Sequence, residues 1–474
     1  MAGTLSATPT YGLTPAPVKV ASTTNYINNF NFLNQYLPDT YEKEFERYGN
    51  RSIASFLRMV GAEMPTNSDM IKWSEQGRLH MKYTGMAPSA YTAGTQVFTV
   101  ASSGTHAFRV GQTVFLSGTN GASQKALITA VASPATTFTV AYYSINTSAS
   151  DPFGSGTVTA FVYGSEFQKG TAGMDGSLEA KDEFFDNKPI IIKDNYQVSG
   201  SDMAQIGWVE VASENGATGY LWYIKSEHET RLRFEDYLEM AMVEGVPAIA
   251  NSAALNSLSP NSTITGGATG QTSAGTKGLF YEVNERGNVW SGGNPQTLND
   301  FDAIIQRLDK QGAIQENAIF LNRQFSFDID DMLAAQNSYG AGGSSFGLFD
   351  NDKEMALNLG FTGFRRGYDF YKTDWKYLND ATLRGDISAG GINGVLVPAG
   401  STNVYDQVLG KNAKRPFLHV RYRASETEDR RYKTWITGGA GGAATSDYDY
   451  MKVNFLSERA LCVLGANNFF LFKN

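Results

Sequence analysis

Between Pro88 and Gly164 the chain carries only three charged side chains, Arg109, Lys125 and Asp151, although charged residues make up 18% of the whole sequence. A stretch so poor in charge and so rich in Thr, Ser, Gly, Ala and Val folds through β alternation and turn chemistry or not at all. Five short alternating runs occur in it, at 96–100 (QVFTV), 112–116 (QTVFL), 126–131 (ALITAV), 137–142 (TFTVAY) and 157–163 (TVTAFVY). Turn residues separate them, among them Val110-Gly111, Thr119-Asn120-Gly121 and Ser133-Pro134. Such spacing predicts a small all-β barrel or sandwich at 88–164. The charged, extended stretches on either side, 70–84 and 184–198, read as two legs of one excursion, which makes the β unit an insertion at an exposed loop tip.

The rest of the chain predicts α+β. Residues 1–37 hold a single charge, Lys19, and an apolar stripe of Tyr26, Ile27, Phe30, Leu33 and Leu37. They read either as a frayed terminus or as an arm, too poor in local contacts to fold alone, that carries its aromatics to a neighbouring subunit. Residues 38–65 predict a helical segment, with Asp39 and Glu42 spaced as a capping box and Gly61 and Pro65 as stop signals. The strongest helix signal runs from Gly219 to Glu244, where Phe234, Tyr237, Leu238, Ala241 and Met242 share a face before Gly245 and Pro247. Residues 251–278 read as a polar, Gly-rich loop.

A helix capped by Thr297 or Asn299, burying Phe301, Ile304, Ile305 and Leu308 and closed by Gly312, is followed by a buried-type strand at 318–322. Asp328, Asp330 and Asp331 are expected in the first turn of a second helix reaching Gln336. Strands are expected at 362–375, 394–398, 417–424, 430–436, 450–455 and 460–472.

Composition narrows the function. The 474 residues suffice for about three structural units. No apolar run approaches the roughly 20 residues of a membrane-spanning helix, and no basic-then-apolar leader is visible at the start. A net charge of −8 argues against a protein whose main task is to grip phosphate backbones. Cys462 stands alone, which excludes an internal disulfide and cysteine zinc sites.

Catalytic and cofactor signals are weak. His80, His106, His228 and His419 are scattered with no metal-binding spacing, and His228, between Glu227 and Glu229, is expected to be a hydrogen-bonded helix residue. Asp350-Asn351-Asp352 with Glu354 lacks the glycine and distal Glu of a calcium loop. Gly340, Gly342, Gly343 and Gly347 do not form GxGxxG, and with Gly438 to Gly442 they read as turns or loops. Asp330/Asp331 and Glu426/Glu428 read as helix-cap and surface charges rather than a glycosidase pair. The sequence therefore predicts no enzyme, no catalytic residue, no cofactor and no metal.

Taken in order, these parts resemble the major capsid proteins of tailed bacteriophages with the Hong Kong 97 fold, and the capsid proteins of crAss-like phages look similar. SEHETRLRFEDYLEMAMVEGV at 226–246 is the stretch most like the family's spine helix, and LNDFDAIIQRLDKQG with NAIFLNRQFSFDIDDMLAAQN is like its axial helix–strand–helix. The order of parts carries the resemblance; no single motif does. It implies an N-terminal arm (1–37), a helical segment (38–65), an extended loop (66–198) carrying the barrel at 88–164, a spine helix with the first part of a peripheral domain (199–297), an axial domain (298–398) and returning peripheral strands (399–474). The implied function is a structural capsid subunit that assembles into pentamers and hexamers of an icosahedral head enclosing double-stranded DNA. Its implied partners are other copies, portal, scaffold and head-decoration proteins, and packaged DNA contacted weakly and without sequence preference, with no membrane. The implied location is the virion, after synthesis in the bacterial cytoplasm. The Lys–Asn crosslink of some relatives has no match here, so locking is expected to be non-covalent.

Arg78, Lys82, Arg231, Arg365, Arg366, Arg430 and Arg431 are the expected inter-subunit ion-pairing residues, and Phe30 and Phe32 the expected arm contacts. Two rival readings remain. A tail or baseplate protein would replace the long helix with β repeats. A carbohydrate-binding or glycoside-active protein with a β-module would show a deep cleft with two facing carboxylates and Trp stacking.

Overall fold

The computed structural model describes residues 56–57, 62–101, 104–145, 150–176, 182–204, 210–212, 218–249, 275–312, 314–337, 362–385, 387–399, 401–406, 411–440, 442 and 444–474. The arm with Phe30 and Phe32, most of the 38–65 segment, the Asp350 region and the glycines at 340–347 lie outside the described residues.

In chain order the first strands are β1 (Ala62–Thr66), β2 (Ile71–Gln76), β3 (Lys82–Thr92), β4 (Thr95–Thr99), β5 (Gln112–Gly118), β6 (Ser123–Val131), β7 (Thr137–Tyr142), β8 (Val158–Ser165), β9 (Asp182–Asn187) and β10 (Ile190–Ser199). The short pair β11 (Glu210–Ala212) and β12 (Thr218–Tyr220) precedes helix α1 (Leu221–Glu244). Then come α2 (Leu279–Arg286), β13 (Asn288–Ser291), α3 (Leu298–Gln311), β14 (Glu316–Leu321) and α4 (Arg323–Asn337). The remaining strands are β15 (Gly363–Arg366), β16 (Tyr368–Asp374), β17 (Ile392–Pro398), β18 (Ser401–Asp406), β19 (Lys411–Pro416), β20 (Leu418–Arg423), β21 (Lys433–Gly438), β22 (Tyr450–Val463) and β23 (Phe470–Lys473).

Strands β3 to β8 close a barrel in the order β3-β4-β7-β6-β5-β8. Strict alternation turns Phe98, Val114, Leu116, Ala126, Ile128, Phe138, Val140, Val158 and Ala160 inward, each at most 1% exposed. The five expected strands all form. A sixth, β3, completes the closure, and this moves Lys82 from the expected leg into the barrel wall. Closure explains the difference: without β3 both β4 and β8 would end in open edges.

Only 71–76 and 182–187 act as legs, paired antiparallel from Ile71↔Asn187 to Gln76↔Asp182. The second half of the expected leg, β10, instead pairs along β22 from Ile190↔Arg459 to Ser199↔Tyr450. At 14 residues β22 is long enough to hold β10 on one edge and both β21 and β20 on the other, and parallel β1 extends β20. Residues 62–65, expected to close a helical segment, are therefore strand. At the end of β21 the backbones come so close that a Cβ on Gly438 (φ 134°) would lie 1.8 Å from the Tyr450 carbonyl oxygen.

A second sheet runs β13-β23-β17-β14-β16-β15. Every residue of β17 is buried, as expected for a strand covered on both faces. Leu396, Ile319, Leu321, Phe470 and Phe472 face a cluster with Phe301, Ile304 and Leu308 of α3 and Phe325 and Ile329 of α4. Val395, Val397, Phe320 and Leu471 face the opposite cluster, with Met242 and Val243 of α1 and Leu279 and Val283 of α2. The C-terminal strand β23 thus joins β17 rather than the returning strands at 399–463, because Gly465 (φ 59°) turns the chain after β22. Neither α2 nor β13 was legible in the sequence.

Thr297 caps α3 in a reciprocal box: its hydroxyl accepts from the Asp300 N–H (3.3 Å), and Asp300 Oδ2 accepts from the Thr297 N–H (3.0 Å). Helix α4 starts earlier than expected, because Asn322 Oδ1 caps the Phe325 N–H at 2.8 Å. Asp328, Asp330 and Asp331 consequently sit mid-helix. Helix α1 ties the sheets together, with Phe234 and Leu238 against Met451, Val453 and Phe455 of β22 and Met242 and Val243 in the larger core. Its 24 residues span about 36 Å.

Candidate functional site

The β2–β9 ribbon has two unlike faces, and alternation dictates both. Ile71, Trp73 and Glu75 with Phe185 and Asn187 turn toward the body; Lys72, Ser74 and Gln76 with Asp182, Phe184 and Asp186 turn away. Two strands alone are marginal in water, so the ribbon depends on its root.

At the root stands Arg286, the last residue of α2. Its guanidinium donates to Glu282 Oε2 (2.6 Å), Glu75 Oε1 (3.0 Å) and the Val463 carbonyl (2.9 Å), and it stacks over Phe185 with Trp73 beside it. Glu75 Oε1 also accepts from the Trp73 indole and the Gly465 N–H, both at 3.0 Å. One cation and two carboxylates therefore join β2, β9, α2 and the end of β22.

Asn187 makes the second anchor. Its Nδ2 donates to the carbonyls of Lys277 (2.9 Å) and Leu461 (2.6 Å), while its Oδ1 accepts from the Lys188 N–H (2.8 Å), the Lys277 N–H (2.9 Å) and the Thr276 hydroxyl (3.0 Å). Both donors of the amide are used. Beside it the Lys277 ammonium bonds Asp186 Oδ1 at 2.9 Å and holds that carboxyl below its usual range.

The far face stays open. Phe184 is 76% exposed and Leu79, just beyond the ribbon, is 81% exposed. Further exposed aromatics, Phe161 and Tyr163, lie on the outer wall of β8. An open cavity of about 440 Å³ at the barrel is lined by Leu79, His80, Met81, Tyr83 and Phe108 among others. Among the described residues no three His, Cys, Asp or Glu side chains gather to hold a metal. Cys462 is buried, and burial pushes its thiol up to about 12. His228 is an exposed residue of α1.

Most of the expected inter-subunit cations have partners in their own chain. Arg78 donates to the Lys310 carbonyl. Arg231 reaches Glu235 at 3.8 Å and lies over the Tyr432 ring. Arg365 pairs with Asp369 at 3.0 Å, and Arg366 forks onto Asp302. Arg430 binds Glu458 at 2.7 Å, and Arg431 binds Glu63. Lys82 is exposed on the barrel wall. Asp330, read as a cap charge, is buried against Lys372, whereas Glu426 and Glu428 are exposed, as read. Arg286, Glu75 and Asn187 were missed; the i,i+2 spacing of Trp73 and Glu75 was the only sequence signal.

No protein-family model matches the chain, and no curated protein does. Among solved structures it is similar to the asymmetric unit of the bacteriophage PhiM1 mature capsid, at 8% identity over 92% of this chain and 91% of that one, with a TM-score of 0.40. It is similar also to the capsid of the native GTA particle (9% identity, 94% and 99%, TM-score 0.40) and to the capsid of the cyanophage P-SCSP1u (8% identity, 93% and 93%, TM-score 0.38). These likenesses are too distant to carry function across to this chain.

Proposed function

We propose that this chain is a structural subunit of a tailed-phage head, in which copies assemble as pentamers and hexamers of an icosahedral shell around double-stranded DNA. The observation that carries the reading is the β2–β9 ribbon: anchored on one face, it presents Phe184, 76% exposed, on the other. A two-stranded element rooted on one face, with an open apolar position on the other, gains further stability when a neighbour covers that position.

In this reading the fold is of the Hong Kong 97 type. The ribbon is the stem of an extended loop (66–198) carrying an inserted barrel (88–164), α1 is the spine helix, 298–398 supplies the axial domain, and 399–474 returns to the periphery except for β23. Residues 1–37, with Phe30 and Phe32, form an arm laid on a sibling. The intrachain pairs of Arg231, Arg365, Arg366, Arg430 and Arg431 stiffen the surface that siblings meet. The net charge of −8 lets packaged DNA slide without adhering. The protein acts without catalysis or cofactor, and its other partners are portal, scaffold and decoration proteins of the virion.

Negative-stain microscopy of the purified, overexpressed protein tests the proposal. Uniform closed particles are expected. A monodisperse monomer at micromolar concentration, with no particles under any salt condition, overturns it.

A further inference from the structure

The outer wall of the barrel carries one organised feature. Register places Lys125 of β6 opposite Phe115 of β5, Phe115 opposite Phe161 of β8, and Phe161 opposite Lys82 of β3. The two rings lie 5.3 Å apart. Phe161 is 40% exposed, and both lysines are exposed. The result is a rung across four adjacent strands: a cation, two aromatic rings and a second cation. Tyr163, 48% exposed, widens it, with the Lys125 ammonium 5.6 Å from its ring centroid. Three strand-to-strand steps set the lysines about 14 Å apart along the wall.

The outer face of the ribbon is its counterpart. Along β9 the outward positions are Asp182, Phe184 and Asp186, an aromatic ring between two carboxylates. Four residues of strand separate the two carboxylates by about 13 Å, with Phe184 midway. Charge sign, ring position and spacing all match the rung. The barrel is itself a local positive island, with Lys82, Arg109 and Lys125 against Asp151 in a chain of net charge −8.

We propose that the Asp182–Phe184–Asp186 face of one copy's ribbon docks across the Lys82–Phe161–Phe115–Lys125 rung of another copy's barrel. Phe184 then stacks on the two rings and Asp182 faces one lysine, while Asp186 keeps its own bond to Lys277 and lies toward the other. Within one chain Asp182, Phe184, Phe161 and both lysines are exposed, so these positions are open to a second copy. Each chain carries both halves, which makes the contact heterologous; repeated head to tail, it closes a ring when the rotation fits. The inference deepens the shell-subunit reading and rests on it for the ring, although the pairwise contact stands by itself.

Two measurements on the full-length protein test it. In the first, copies carrying Asp182→Cys are mixed with copies carrying Lys82→Cys or Lys125→Cys and treated with a short bis-maleimide. A crosslinked dimer is expected from one or both mixtures, and none from Asp182→Cys mixed with a Cys-free surface. In the second, Lys82→Glu, Lys125→Glu and Asp182→Lys are scored by sedimentation. Each is expected to lower the assembled fraction at least tenfold, and Asp182→Lys is expected to restore assembly to one of the two lysine reversals, which also fixes the orientation. Asp186 is left intact because it already binds Lys277.

Shells without a crosslink, or shells unaffected by the reversals, overturn the docking and leave the shell reading intact. Crosslinked dimers without shells support the docking and overturn the shell reading. Absence of any crosslink while circular dichroism shows folded variants overturns the docking in either case.

Discussion

The guanidinium of Arg286 lies 4.0 Å from the ring centroid of Phe185 and 3.0 Å from Glu75 Oε1, so one side chain clamps both strands of the ribbon to helix α2. Arg286 and Glu282 are largely buried, at 16% and 4% side-chain exposure. Removing the cation strands Glu282 in a desolvated site, a loss of about 3 kcal/mol. Arg286→Ala is expected to raise hydrogen exchange selectively at 71–76 and 182–187. Arg286→Lys should rescue only part, because an ammonium cannot reproduce the planar fork that reaches Glu75, Glu282 and the Val463 carbonyl together. Uniform exchange in both variants would show that the ribbon is held elsewhere.

Asn187 offers an isosteric test of the second anchor. Asn187→Asp keeps the shape but turns two donors into acceptors that face the Lys277 and Leu461 carbonyls. Each unmatched group in a buried site costs about 1–3 kcal/mol. We expect a lower denaturation midpoint at neutral pH for Asn187→Asp, comparable to that of Asn187→Ala despite the smaller change in volume. A midpoint equal to the parent's would remove Asn187 as an anchor.

What could be read from sequence followed the range of the interaction. The barrel strands and a cap at Thr297 or Asn299 are local signals, so alternation and spacing exposed them, while the Asp300 half of the box came only with the structure. Asn187 was invisible because one of its partners, Leu461, lies 274 residues away. The facing of β17 was equally hidden, since a strand buried on both sides has no alternation to read. The start of α4 differs from the expected one because Asn322, not an aspartate, caps it, and the acidic residues follow one turn later. The arginine-rich stretches were read as inter-subunit ion-pairing material, whereas within this chain most of them pair with its own acids.

His106 predicts an acid response of the barrel. It is 6% exposed, lies 5.1 Å and 5.2 Å from the rings of Phe138 and Phe108, and its Nδ1 accepts from the Phe108 N–H at 3.2 Å. That bond leaves Nε2 carrying the proton, and a second proton on Nδ1 would break it. Burial holds its pKa below the ordinary 6.5, against a smaller opposing effect of the Thr137 backbone. Between its folded value and 6.5 the unfolded chain binds more protons, so stability rises with pH there and falls as pH drops below about 6.5. Exchange of the peptides spanning β4, β5 and β7, measured at pH 7.5 and pH 5, should rise on acidification after correction for intrinsic rates. His106→Gln should flatten the difference.

The cap of α3 gives a smaller, cleaner number. Thr297→Ala removes the oxygen that accepts from the Asp300 N–H and disengages the reciprocal carboxylate bond. A loss of about 1 kcal/mol is expected in denaturant unfolding, with an unchanged slope against denaturant. Asp300→Asn, which keeps an acceptor but not the charge beside the helix N-terminus, should lose less.

The Asp330–Lys372 pair separates charge pairing from packing in the second sheet. Its side chains are 11% and 9% exposed, and it ties α4 to β16. Lys372→Met leaves the Asp330 carboxylate desolvated without its cation and is expected to cost about 3 kcal/mol. Asp330→Leu strands the ammonium in the same way. The double variant replaces both charges with apolar groups of similar length, so it should recover most of the loss and behave as well as the parent in thermal unfolding. The double-mutant cycle then reports a large coupling, whereas two independent packing defects would add and give none. If the double variant instead lost the sum of the singles, the pair would contribute through its surroundings rather than through mutual neutralisation.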